Sequence, residues 1–333
     1  NQQYYLKYED SPRNILILSK PNNLEVIRTL VNITNFLTEL NPELNLIVEP
    51  HLSLDTIQKL PAKVQQFQTH QIPDLTRCID LVITLGGDGT ILHSSSLFNN
   101  WCPPIISFSM GHLGFLLPFD VKDSITQLTQ LFDHGSPVLF RSRLECKLID
   151  NFNKQIPLKW GSKYQDSVMI MNEINLHRGN SPHLTSVNCF IDDRFLTNGV
   201  ADGLVVATPT GSTAYSLSAG GPIIHPSVQG MILTPICPRS LSFRPIILPI
   251  DSTLTLKMSK DTRTSLQLSV DGKDLDRKVN YGDIIKVKQS PYPMIIISKN
   301  EEQLEWGGRI SEFLKWNQNF RTRQTDEGST DYF

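Results

Sequence analysis

The run Ile79-Asp80-Leu81-Val82-Ile83-Thr84-Leu85 passes directly into Gly86-Gly87-Asp88-Gly89-Thr90, and this junction constrains the fold more than any other stretch of the chain. A short, apolar, β-branched run reads as a strand buried on both faces, the kind found in parallel sheets covered by helices. The segment from Ile91 to Phe98 can then continue as a helix. Strand, glycine turn and helix start together form an anion site, because the first N–H groups of a helix lack intrahelical partners and the helix dipole is positive there. Gly86, Gly87, Gly89 and Thr90 are therefore candidate phosphate contacts. The loop has neither the third glycine of G-x-G-x-x-G nor the lysine of G-x-x-x-x-G-K-[ST]. It carries a carboxylate instead, Asp88. A carboxylate beside phosphates is unfavourable unless a cation or a proton-transfer task accounts for it. Activation of a hydroxyl for phosphoryl transfer is one such task, and capping of a helix that starts at Thr90 is the structural alternative.

A second motif, Thr208 to Pro222 (TPTGSTAYSLSAGGP), sets small hydroxyl residues and glycines around one tyrosine. Glycine lets backbone N–H groups approach a ligand, each Ser or Thr adds a donor and an acceptor, and Tyr215 offers a flat face to a ring. Phosphates, riboses and bases all suit such a surface. A turn-rich loop in a β region is the plainer reading.

The first part of the chain alternates strands with helices. Asn14 to Leu18 reads as a strand. Leu24 to Leu40 reads as a helix with apolar residues at 27, 30, 31, 37 and 40, opened by Asn22 with Glu25 at capping-box spacing. Strands at Asn45 to Val48, at the run before Gly86 and at Pro104 to Phe108 follow. A helix from Val121 to Phe132, apolar at 121, 125, 128, 131 and 132, stops at Gly135. From about Pro137 short β-rich runs recur without helices: Val138 to Ile149, Ser167 to Leu176, Val187 to Ile191, Leu204 to Ala207, Leu254 to Met258, Ser265 to Val270, Ile284 to Lys288 and Pro293 to Ile297. Turns at Asp271-Gly272 and Tyr281-Gly282 separate several of them.

The predicted fold class is α/β followed by all-β. A Rossmann-like parallel α/β domain over residues 1–136 precedes an all-β, sandwich-like domain over 137–303. A C-terminal helix with a polar tail, 304–333, returns to the first domain. Within it Ile310 to Trp316 reads as helical and Arg321 to Phe333 as a disordered tail. Ligands of such sheets sit at the carboxyl ends of strands, where Gly86 to Thr90 falls.

A formal net charge of -2 gives no reason to expect nucleic acid or an anionic membrane as partner. No apolar run approaches the ~18 residues of a membrane span. Cys78, Cys102, Cys146, Cys189 and Cys237 are widely spaced and never form C-x-x-C, which suggests thiols in a reducing compartment. The opening NQQYYLKYEDSPRN has acidic residues and lacks the pattern of a transit peptide, so any presequence is expected to be absent from this chain.

GGDGT at Gly86 to Thr90, GHLGF at Gly111 to Phe115, Asn172-Glu173 and ADGLVVATPTGSTAYSLSAGG at Ala201 to Gly221 together resemble the ATP-dependent NAD kinase family, in family order from about Asn14 to about Gly272. GGDGT alone is shared with diacylglycerol and sphingosine kinases and phosphofructokinases; the long Thr/Gly/Ser motif is far more specific. SPHL at Ser181 to Leu184 and TPICPRSLSFRPIILP at Thr234 to Pro249 look closest to the fungal forms. MNEINLHRGNSPHL, Arg143 to Cys146 and the tail RTRQTDEG resemble in particular the fungal mitochondrial NADH kinases.

The resemblance implies ATP-dependent phosphorylation of the adenosine-ribose 2′-hydroxyl of NADH or NAD, with Asp88 as general base, Mg²⁺ or another divalent cation on the polyphosphate, and dinucleotide binding by the β domain. It further implies that Asn172 and Glu173 bind the dinucleotide and that Thr210, Gly211, Ser212, Thr213, Ala214, Tyr215, Ser216 and Ser218 line the adenine and phosphate side. Asp202 falls near the nicotinamide end. It also implies a homo-oligomer, dimer or tetramer, in which a neighbouring subunit completes the pocket, and the mitochondrial matrix as location, with the cytoplasm as the alternative. Alternatives stay open at single residues: Asn172-Glu173 as a surface strand end, Asp202-Gly203 as a turn, and Phe115 as either a pocket wall or core. His93, His112, His177 and His225 read as ordinary packing or hydrogen-bonding residues. Some bacterial members have a basic residue two positions before the aspartate of the DG pair, where this chain has Val200. A lipid kinase sharing the GGDGT loop and a catalytically silent dinucleotide sensor are the competing functions.

Overall fold

The computed structural model describes residues 4–21, 23–68, 71, 76–111, 114–160, 163–299 and 302–315. In it, Leu81–Gly86 is buried at every position and forms an inner strand of a sheet with nine strands among the described residues. Its parallel neighbours are Asn14–Ser19 and Ile105–Ser109, with Ser19 opposite Leu85 and Ser109 opposite Gly86. The three strands therefore end together and leave Lys20, Gly87 and Met110 along one edge. Asn45–Val48 and Gln65–Gln66 extend the sheet in parallel on one side. On the other side Met294–Ile297 runs parallel to Ile105–Ser109, followed by antiparallel Ser136–Arg141 and Tyr4–Leu6. The chain thus returns to the first sheet by a strand. Both Ser136–Arg141 and Met294–Ile297 come from runs that, by sequence, belong to the β-rich half.

Helix Leu24–Leu40 keeps its predicted limits, but its buried face is Val26, Leu30, Ile33, Thr34 and Leu37, and Leu40 is exposed. The Thr34 hydroxyl donates to the Leu30 carbonyl at 2.9 Å, so a polar residue joins the core and the apolar face is rotated from the one predicted. The cap is Asn23, whose side chain accepts from the Glu25 and Val26 N–H groups; Asn22 lies outside the described residues. The predicted helix from Val121 divides into a 3₁₀ turn, Val121–Asp123, and an α-helix, Ser124–Asp133. It ends at Gly135, which has φ +82° and whose missing Cβ makes room for the Leu6 carbonyl.

The β-rich half is two antiparallel sheets packed face to face. One runs in the order Gln155–Ile156, Leu144–Ile149, Ile284–Gln289, Leu254–Met258, Thr185–Ile191, Arg194–Ala201, with Val168–Ile170 also paired to Leu144–Ile149. The other runs Ile246–Pro249, Gly230–Ile236, Gly203–Ala207, Glu173–His177, Leu266–Val270, Lys273–Val279. Leu144, Cys146, Leu148, Val187 and Leu256 of the first meet Ile174, Leu176, Leu204, Val206, Leu233 and Leu268 of the second in one core. Five of these strands, Gln155–Ile156, Arg194–Ala201, Gly230–Ile236, Ile246–Pro249 and Lys273–Val279, escape the sequence reading. Arg194–Ala201 is exposed or half-buried at all but Gly199 and Ala201, and Lys273–Val279 at all but Leu275 and Val279, so neither offers the apolar run that marks a buried strand.

All five cysteines are free. Glu302–Leu314 forms a helix of its own, longer than the predicted Ile310 to Trp316; Trp316 and residues 321–333 lie outside the described residues.

Candidate active site

The helix after the glycine turn begins at Asp88, with Gly87 as its cap residue and no side-chain cap bond. Asp88 therefore does not cap a helix starting at Thr90. Its half-buried carboxylate accepts instead from the Phe115 N–H at 3.3 Å and the Leu116 N–H at 3.2 Å. Gly114 closes the other side: a Cβ there would stand 2.1 Å from Asp88 Oδ1. Gly86 is equally confined, since its Cβ would meet Thr90 Oγ1 at 2.1 Å. Gly87 and Gly89 are exposed and open. Phe115 is half-buried, and His112 lies outside the described residues.

Leu116 carries the connection onward. It shares one buried cluster with Ile91, Leu117 and Met171, the residue that precedes Asn172. Residues 171 and 172 link Val168–Ile170 of one sheet to Glu173–His177 of the other, where no ladder partner is available. Asp271 fills that role. Its carboxylate accepts from the N–H groups of Met171 at 2.9 Å, Asn172 at 2.7 Å and Glu173 at 3.1 Å. Thr208 serves the opposite side, its hydroxyl donating to the Met171 carbonyl and its N–H to the Asn172 carbonyl. Gly211 lies on Asn172 so closely that a Cβ would meet its carbonyl oxygen at 2.1 Å.

Glu173 is buried, and its Oε2 has no hydrogen-bond partner. Burial and the adjacent Asp271 carboxylate push Glu173 up to about 7, against the pull of the Tyr215 backbone N–H. Burial raises Asp271 to about 6, opposed by its three N–H donors and by Lys273. A buried, unpartnered carboxyl oxygen is what a hydroxyl-bearing ligand would satisfy.

In the Thr208 to Pro222 motif, residues 210–213 form a 3₁₀ turn and 215–218 a single helical turn. Thr208, Ser212 and Ser216 turn inward: Ser212 Oγ bonds both backbone groups of Ile224, and Ser216 Oγ lies 2.9 Å from Thr234 Oγ1. Thr210 and Gly211 are buried, Thr213 and Ala214 half-buried, and Tyr215 and Ser218 exposed. The loop is thus built on inward hydroxyls and presents Thr213 to Tyr215 and Ser218.

The far end of the Asp88 helix is bound to the β half. Buried Arg143 donates to the carbonyls of Phe98 at 2.6 Å, Asn100 at 2.9 Å and Tyr292 at 2.7 Å. Trp160 Nε1 donates to the Ser96 carbonyl, and Lys273 Nζ lies 3.4 Å from Ser96 Oγ and over the Trp160 ring. His93 is a hydrogen-bonding residue, with Nε2 at 2.6 Å from the buried Glu49 carboxylate. His177 accepts from the Gly179 N–H, and His225 Nδ1 lies 2.7 Å from Ser227 Oγ.

The structure does not bring Asp202 together with these groups within one chain. Glu173 pairs with Ala207 at one end of its strand and His177 with Gly203 at the other, a separation of about 13 Å for four steps. Asp202-Gly203 is no hairpin: it joins Arg194–Ala201 in one sheet to Gly203–Ala207 in the other. Asp202 is paired with Arg178, Nε to Oδ1 at 2.7 Å, so a guanidinium reaches this carboxylate although position 200 is valine.

Sequence reading missed Arg143, Arg178, Asp271 and Lys20. The Asp271-Gly272 dipeptide was legible as a turn, and both residues do have positive φ. Nothing in the sequence tells that the aspartate side chain reaches back about a hundred residues.

Residues 15–136 match the ATP-NAD kinase N-terminal domain and residues 171–299 the ATP-NAD kinase C-terminal domain. With this fold and this site, the chain belongs to the ATP-NAD kinase family. It is 40% identical over 324 residues to the mitochondrial NADH kinase pos5 of Schizosaccharomyces pombe, covering 96% of this chain and 78% of that protein. It is 38% identical over 361 residues to the mitochondrial NADH kinase POS5 of Saccharomyces cerevisiae, covering 96% and 85%. The crystal structure of yeast NADH kinase complexed with NADH superposes with a TM-score of 0.82 at 37% identity, over 96% of this chain and 95% of that one.

Proposed function

We propose that this chain transfers the γ-phosphoryl group of ATP to the adenosine-ribose 2′-hydroxyl of NADH or NAD, with Asp88 as the base. The 2′-oxygen forms the new bond to phosphorus, the bond from phosphorus to the β,γ-bridging oxygen breaks, ADP leaves and the hydroxyl proton passes to Asp88. The products are ADP and NADPH or NADP. The observation that carries this reading is the Asp88 carboxylate, fixed by the backbone N–H groups of Phe115 and Leu116 at the carboxyl end of a buried parallel strand.

Each remaining part has a task. Glu173 and Asn172 would orient the ribose and adenine, and Thr210 to Ser216 with Ser218 would border the adenine and phosphates, Tyr215 by its exposed ring. Phe115 would wall the pocket beside Asp88. Gly86, Gly87, Gly89 and Thr90 would offer backbone groups to phosphate, aided by Lys20, which follows the neighbouring strand. Mg²⁺ bound with the nucleotide would neutralise phosphate charge. Among the described residues no group of three or more His, Cys, Asp or Glu forms a cation site, so the single Asp88 carboxylate fits an ion held mainly by phosphates.

Asp202, at the far end of its strand, fits a homo-oligomer in which it serves the pocket of a second copy. The mitochondrial NADH kinases among the relatives place the chain in mitochondria by resemblance, and the matrix is the compartment proposed.

Turnover on NADH and on NAD with ATP and Mg²⁺ tests the reading, together with Asp88→Asn. The variant should still bind dinucleotide and lose most of its turnover, by about 10²–10⁴ for a positioned base. Near-normal turnover would remove the base assignment, and a wild-type protein inactive on both substrates would leave a dinucleotide sensor.

A further inference from the structure

Residues 171–173 have all six backbone polar groups bonded from two distant loops. Asp271 takes the three N–H groups and its own N–H donates to the Glu173 carbonyl at 2.9 Å. Thr208 serves the carbonyls of Met171 and Asn172. The backbone is closed while the Glu173 carboxyl keeps one buried oxygen unpartnered.

The turn at Asp271-Gly272 does not by itself call for an acid. It connects Leu266–Val270 to Lys273–Val279 with φ of +46° and +74°, which Asn-Gly would adopt without charge. A carboxylate that is 8% exposed is a costly choice there unless its charge is used. Three consecutive N–H groups converging on it use that charge, much as an anion in a backbone nest. Two of them belong to Met171 and Asn172, between the strands of the two sheets, and the third to Glu173 at the start of its strand.

We infer that Asp271 is a positioning residue for the dinucleotide: its carboxylate fixes the backbone at Met171 to Glu173 and thereby sets the orientation of Asn172 and of the unpartnered oxygen of Glu173 toward the ligand. The inference rests on the kinase reading above and adds a residue that does not touch substrate. Glu173 faces the Asp271 carboxylate and the Tyr215 backbone N–H; Asp271 in turn feels Lys273 and Arg143, and Lys273 feels Glu49. Removing the charge at 271 therefore alters both the geometry of Glu173 and the pH at which it ionises.

The test compares Asp271→Asn, Glu173→Gln and the double variant, with Michaelis constants measured separately for NADH and ATP between pH 5.5 and 8.5 and NADH binding followed by calorimetry. Asp271→Asn should raise the KM for NADH about tenfold, the loss of one charged hydrogen bond, and leave that for ATP within about twofold. In the wild type the KM for NADH should rise as pH falls through about 7, where Glu173 takes up a proton. In Asp271→Asn that inflection should move to lower pH, and in Glu173→Gln it should vanish. The double variant should lose less NADH affinity than the two single losses added together, because Asp271 acts in part through Glu173. A lower melting temperature with an unchanged KM and pH profile would reduce Asp271 to a structural role, as would strictly additive effects. Should Asp271→Asn not fold, Asp271→Glu keeps the charge and displaces it; an unchanged KM for NADH there overturns the inference equally. Wild-type inactivity on both dinucleotides would defeat the kinase reading instead, and the calorimetric comparison would still decide the role of Asp271.

Discussion

Gly114 lies against Asp88 so closely that a Cβ on the glycine would stand 2.1 Å from Oδ1 and 2.6 Å from Cγ. The contact is between a backbone turn and a side chain held by the next two N–H groups of that turn, so neither can shift alone. Gly114→Ala should displace the Asp88 carboxylate and, with Asp88 as the base proposed above, lower kcat by on the order of 10²-fold, the usual penalty for misplacing such a group by about 1 Å. The fold should survive, since the alanine enters a half-buried loop. Unchanged kcat in a folded variant would show that Asp88 need not sit where it does.

Tyr215 is 40% exposed, an unusual state for a ring within an otherwise inward-turned motif. Tyr215→Ala should weaken dinucleotide binding by on the order of 1–3 kcal/mol if the ring stacks on or borders a base. Calorimetry on NADH reads this directly. The melting temperature should hardly change, and a large drop in it with unaltered affinity would assign the ring to the core.

Arg143 is fully buried, and desolvation depresses its pKa. It satisfies carbonyls at the end of the Asp88 helix and at Tyr292. Arg143→Met fills much of the volume but leaves those carbonyls unpaired, so urea denaturation should show a loss of about 3–5 kcal/mol. A loss under 1 kcal/mol would mean that the helix is held by Trp160 and Lys273 alone.

The Glu173 carboxyl titrates near 7 in the folded protein against 4.5 when unfolded. Between those values the native state holds a proton that the unfolded chain has released. Stability from this group is therefore full below pH 4.5 and declines as pH rises toward 7, by on the order of 3 kcal/mol. The Asp271 shift has the same sign. Urea midpoints of the ligand-free protein at pH 5, 6 and 7 should fall in that order. Glu173→Gln should flatten the decline; a variant with the same slope as the wild type would place the titration elsewhere.

Reading the sequence recovered what local periodicity and turn chemistry encode. The Leu81–Gly86 strand, the Leu24–Leu40 helix and the Asp271-Gly272 turn depend on neighbours within a few residues, and each is found close to where it was read. The strand at Met294–Ile297 was legible as a strand but not as a member of the first sheet, because pairing partners are chosen by the whole chain. Strands such as Lys273–Val279, with polar residues on an outward face, were passed over for want of an apolar run.

The same division runs through the site. The sequence by itself determined that Asp88 follows a buried strand; its motifs carried the resemblance to a dinucleotide kinase, and with it the expectation that Asn172-Glu173 and the Thr208 to Pro222 motif serve the same ligand. Only the tertiary structure decided that Asp88 is held by Phe115 and Leu116, that Ser212 and Ser216 face inward, and that Asp202 stands at the opposite end of the Glu173 strand. It also decided that Asp271 governs the backbone at Glu173. The physical reason is range: propensity and capping act over a few residues, whereas a buried carboxylate finds its N–H donors wherever the packed sheets leave them unpaired.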